Sequence, residues 1–73
     1  MHKLTEIYRV ITNGDREELT RSVLVNLALV AFVRDGEDRR RIYFGNHPDA
    51  DYIDVEESLE YIRSMALADM VVR

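Results

Sequence analysis

Hydrophobic positions in this chain fall into short clusters rich in β-branched and aromatic residues, separated by polar turns, and give way to a helical stripe. The first cluster, Leu4 to Thr12 (LTEIYRVIT), predicts a strand. Leu4, Tyr8 and Val10 share one face of it, with Glu6 between them. Asn13-Gly14-Asp15 follows and predicts a tight turn, because Asn and Gly accept positive φ. Glu17 to Asn26 predicts the returning strand. Leu19, Arg21, Val23 and Val25 point one way on it; Thr20, Ser22, Leu24 and Asn26 point the other.

The run from Val23 to Val33 has Asn26 as its one polar residue, so periodicity alone fits a strand or a helix. A helix over Arg16 to Arg34 is the rival, with Asp15 as its N-cap and Glu17 and Glu18 in its first turn. The richness in Val and the interrupting Asn26 favour two strands instead, Thr20–Asn26 and Val30–Arg34. A polar turn, Arg34–Asp38, leads to a strand over Arg39–Phe44. Ile42 and Phe44 share one face of that strand, and Arg39, Arg41 and Tyr43 the other. Gly45–Asp51 reads as a loop, and Tyr52–Asp54 as a short last strand. Asp54 then has the character of an N-cap, with Glu57 in capping-box position. Val55, Leu59, Ile62, Ala66 and Met70 form a stripe at helical spacing. Tyr61, Met65, Leu67 and Val71 widen the apolar surface beyond what one small sheet needs, which predicts a partner helix or a dimer. The expected fold is a single α+β domain over residues 1–73. It has an antiparallel β-meander of four to five strands, open or curled toward a small barrel, and one C-terminal α-helix packed on it.

Val23-Leu24-Val25-Asn26, Leu29-Val30, the charged turn, the Ile-containing strand and Ile53-Asp54-Val55-Glu56-Glu57-Ser58-Leu59-Glu60-Tyr61-Ile62 together resemble small flagellar FlbD-type proteins and similar short bacterial or phage proteins. The resemblance covers about residues 19–63, and Val25-Asn26 and Glu57-Ser58-Leu59 carry most of it. Two departures stand out: Gly45–Asp51 is longer than the tight Asn-Gly turn of that pattern, and Arg39–Arg41 is untypical of it. The resemblance implies a β-meander-plus-helix fold rather than any one activity.

Composition narrows the rest. At 73 residues the chain holds one small domain with a marginal core, and with no Cys it has no disulfide to staple it, so a shortfall predicts oligomerisation. The first residues, Met-His-Lys-Leu-Thr-Glu, lack the apolar core of a secretory signal, and the 11-residue run Val23–Val33 is too short to span a bilayer. A cytoplasmic protein without membrane contact is expected. The net charge of −4 is uneven: residues 1–44 sum to +1 and residues 45–73 to −5.

No catalytic pattern emerges: the chain has no Cys nucleophile, Gly-rich phosphate loop or G-x-S-x-G turn. His47 beside Asp49 and Asp51 reads as a solvated loop rather than a metal site, so no metal, cofactor or enzymatic activity is expected. The expected function is a small non-catalytic protein-binding module that self-associates. Tyr61, Met65 and Met70 are its candidate apolar contacts, and Asp51, Glu56, Glu57 and Glu60 its candidate charged contacts. The same carboxylates suggest an alternative, an anti-CRISPR-like phage or mobile-element inhibitor that blocks a basic nucleic-acid-binding surface. A second alternative is a nucleic-acid-binding regulator that uses Arg39, Arg40, Arg41 and Tyr43 as a phosphate-and-stacking surface. The acidic balance ranks this below ion pairing and the protection of an exposed sheet edge by those arginines.

Overall fold

The computed structural model describes residues 1–45 and 51–69. Five strands and one helix follow in the expected order: β1 (His2–Thr12), β2 (Asp15–Val25), β3 (Phe32–Asp35), β4 (Arg40–Tyr43), β5 (Tyr52–Val55) and α1 (Leu59–Asp69). A single turn of 3-10 helix, Leu27–Leu29, separates β2 from β3. The rival helix over Arg16–Arg34 is absent. Val, Thr and Leu continue the β1 ladder as far as Val25, and the Asn26 side chain then accepts the Ala28 N–H at 3.0 Å, turning the chain at the predicted break.

The sheet is antiparallel, in the order β2-β1-β5-β4-β3. It is a long hairpin joined to a three-stranded meander along a short seam, where β5 meets β1 only at Glu6 and Ile7. Among the described residues strands β2 and β3 remain as edges, so the sheet is open rather than a barrel. Asn13 (φ 52°) and Gly14 (φ 84°) are both left-handed, the turn geometry that matches the twist of a two-residue hairpin. Beyond the seam, the hairpin runs on as a two-stranded arm. The molecule measures 53 × 23 × 21 Å, and its radius of gyration is 13.4 Å, against about 11 Å for a compact domain of this length.

The register sorts residues onto two sides. Leu4, Val25, Ile42 and Val55 lie on one side, and with Leu27 and Ile62 they form the core. Leu4, Ile42 and Val55 are fully buried. Helix α1 covers this side through Ile62, Met65 and Ala66. The other side of the sheet has no helix over it among the described residues.

The helix starts later than the pattern predicts. Val55 is the last residue of β5, paired with both Glu6 and Arg40. Asp54 is not a cap: its carboxylate accepts two hydrogen bonds from Arg41, at 2.8 and 3.2 Å. Ser58 is the cap, its Oγ accepting the Tyr61 N–H at 3.1 Å while its carbonyl accepts the Ile62 N–H. Glu57 turns back to β1 and accepts the Thr5 N–H at 2.8 Å. A buried Val at position 55 is worth more to the sheet than to a helix end, so the Asp54 signal is overridden.

Candidate functional site

The uncovered side of the sheet carries the densest chemistry. Phe32, Tyr43 and Tyr52 are direct cross-strand neighbours and form a row across β3, β4 and β5. The Phe32 and Tyr43 rings stack with centroids 4.4 Å apart, and Tyr43 and Tyr52 are tilted at 5.7 Å. The next row holds Arg34, Arg41 and Asp54. Arg41 lies over the Tyr52 ring at 4.3 Å, and Arg34 faces the Tyr43 ring at 5.7 Å. Asp54 pairs with the Arg41 guanidinium through two hydrogen bonds and raises its already high pKa, the hydrogen bonding being the main cause.

Arg39 reaches from the start of β4 to Glu18 on β2, past the two intervening strands, with contacts of 2.7 and 2.8 Å. It also meets Asp38 in the preceding turn at 3.1 Å. These hydrogen bonds hold both carboxyls below their ordinary range. They tie the arm to the meander.

The Arg39–Arg41 run is therefore not one basic patch. Arg39 and Arg41 face the uncovered side. Arg40 faces the helix side, where it donates to the carbonyls of Glu57 and Glu56 at 2.9 and 3.1 Å and pairs with Asp35. Edge protection is not their role either, because β4 lies between β3 and β5. Tyr43 is only 2% exposed, enclosed between its two neighbours; Phe32 (40%) and Tyr52 (41%) are the accessible residues of the row. Sequence reasoning missed Phe32, Tyr52 and Arg34 as members of this surface. The signal was present in the register of the β3–β4 turn, which places Phe32 and Arg34 beside Tyr43 and Arg41.

The acidic candidates do not converge on one surface. Asp51 is exposed with left-handed backbone (φ 56°), and its carbonyl accepts the Phe44 N–H. Glu56 and Glu60 are exposed, whereas Glu57 is half-buried against β1. Of the apolar candidates, Tyr61 is 44% exposed, while Met65 packs against the core. Met70, like the His47–Asp49 part of the loop, lies outside the described residues. Beside the helix, Leu27, Val30, Val33, Leu59, Ile62 and Ala66 line an open apolar groove of about 400 Å³.

Among the described residues no three His, Cys, Asp or Glu side chains gather as a metal site, and no helix is long and apolar enough to cross a membrane. Comparison with family models, with curated proteins and with solved structures returned no match to this chain. Within the chain, Asn26 turns the chain after β2, Glu57 anchors β1, and Ser58 caps α1.

Proposed function

We propose that this chain is a small non-catalytic binding module, working in the cytoplasm, that pairs with a second copy of itself through the outer edge of β2. The observation that carries this reading is the length and exposure of that edge. β2 runs for 11 residues, has a neighbour on one side only among the described residues, and is exposed at every position except Val23 and Val25. The opposite edge, β3, is four residues long. A long strand edge is a template for another strand, and a two-stranded ribbon is marginal in water by itself. Antiparallel pairing about Leu19 sets Glu17 of each copy opposite Arg21 of the other, a self-complementary arrangement.

The test is the particle mass in solution by light scattering. Wild type should give two chains per particle. Leu19→Lys sets two ammonium groups against each other at the two-fold axis and should give one chain, with an unchanged circular dichroism spectrum. A wild-type mass of one chain at every concentration overturns the proposal, as does a Leu19→Lys dimer.

A further inference from the structure

The chain-wide charge of −4 conceals a segregation that only the sheet register reveals. Lys3, Arg9, Arg16, Arg34 and Arg41 all fall on the uncovered side of the sheet, and Arg39, just before β4, reaches Glu18 on the same side. Only Glu18 and Asp54 accompany them on its strands, with Asp38 touching Arg39 from the turn. The strands of this side thus hold a surplus of three positive charges, and everything else in the chain sums to −7. The same side carries the row Phe32–Tyr43–Tyr52.

We infer that the uncovered face of the sheet binds single-stranded nucleic acid, with Phe32, Tyr52 and the Arg41 guanidinium as stacking surfaces and Arg34, Arg9 and Arg16 as phosphate contacts. Charge complementarity selects a polyanion, and the accessible rings select one with flat, unpaired bases. A duplex hides its base faces, whereas a single strand can lay them on aromatic side chains that stand out from a sheet. Tyr43 is enclosed in the middle of the row, between Phe32 and Tyr52, and touches no ligand, being 2% exposed. The stacking geometry is set before binding. Phe32 rests on Tyr43 at 4.4 Å, and Arg41 is held over Tyr52 by the Asp54 carboxylate. Among the described residues, Arg9, Arg16 and Arg34 form no ion pair, so their charge is available to phosphates. The inference is independent of how the β2 edge is used.

The experiment is fluorescence anisotropy with labelled 12-nucleotide oligo(dT) and oligo(U), titrated with the full chain over a range of salt. Binding of either oligonucleotide supports the inference, and three phosphate contacts give a log–log salt slope of about −2. Phe32→Leu and Tyr52→Leu should each weaken binding about tenfold or more. Arg34→Glu should weaken it further, and Glu60→Gln on the helix should leave it unchanged. Circular dichroism checks that each variant folds; should Tyr52→Leu unfold, the exposed Arg34→Glu decides alone. Three results overturn the inference: no binding at low salt, tighter binding to a duplex of the same length, or unchanged affinity in the folded Phe32 and Arg34 variants. Capture of a poly-glutamate peptide that oligo(dT) fails to displace also overturns it, in favour of an acidic protein partner.

Discussion

Replacing Ser58 by Ala separates two accounts of how the last quarter of the chain folds. Ser58 Oγ accepts the Tyr61 N–H at 3.1 Å, and the Ser58 carbonyl accepts the first bond of α1 from Ile62. Loss of such a cap costs about 1 kcal/mol. A 73-residue domain has a total stability of about 4–11 kcal/mol, so the cap accounts for roughly a tenth to a quarter. The helix has 11 residues and depends on its start and on Ile62 for its place on the sheet. Thermal unfolding followed by circular dichroism should show a drop in Tm of about 4–8 °C for Ser58→Ala. Ser58→Gly should cost only a few tenths of a kcal/mol, and Ser58→Asp should be close to wild type. Asp54→Asn is the discriminating arm. Asn caps as well as Asp, so a helix starting at residue 54 predicts no effect. The observed Arg41 contacts predict a loss of about 1 kcal/mol as a charged acceptor becomes neutral. An unchanged Tm for Ser58→Ala, or a silent Asp54→Asn, refutes the assignment of Ser58 as cap and Asp54 as ion-pair partner.

Gly14→Ala forces a left-handed position onto a residue with a Cβ; open space surrounds it, so the cost of about 1 kcal/mol is conformational. Hydrogen exchange should locate that loss in the arm, raising rates at the amides of residues 8–20 more than in the core. Ile42→Ala removes a fully buried side chain at the centre of the core; a cost of about 2–5 kcal/mol should move the midpoint of a urea titration to clearly lower concentration. Arg39 holds the Glu18 carboxyl below its ordinary value of 4.5, so the contact is fully present above that value and disappears as pH falls through the lowered one. The gap between wild type and Glu18→Gln in arm hydrogen exchange should therefore be widest near neutrality, and should close in acid and in high salt.

Much of the fold is legible in the pattern of residues because its signals are local. Asn13-Gly14 determines the hairpin turn, alternation determines the strands on either side, and the stripe Leu59, Ile62, Ala66 determines the helix body. What local pattern leaves open is where one element yields to the next. Val55 satisfies a helical stripe and a buried strand equally well, and the choice depends on Glu6 and Arg40, which are remote in sequence. Asp54 likewise has the chemistry of a cap, and only the neighbouring strand supplies the arginine that claims it. The early strands escape this ambiguity because their partners are consecutive.

The candidate site was harder to read, for a related reason. Consecutive arginines suggest one patch, yet strand pleating sends Arg40 to the helix side and leaves Arg39 and Arg41 opposite. Total charge misleads in the same way: alternation within strands can concentrate cations on one face of an acidic protein, and a sum over the chain erases that. The aromatic row needs three strands in register, so no window of sequence contains it. A surface of this kind is a property of pairing, and the paired residues test it best. If Phe32 and Tyr52 act as one platform with Tyr43 between them, replacing both should cost less binding free energy than the sum of the two single losses, because a base stacked on either ring depends on its neighbour. Additive losses would mean two independent contacts, each ring stacking a base of its own.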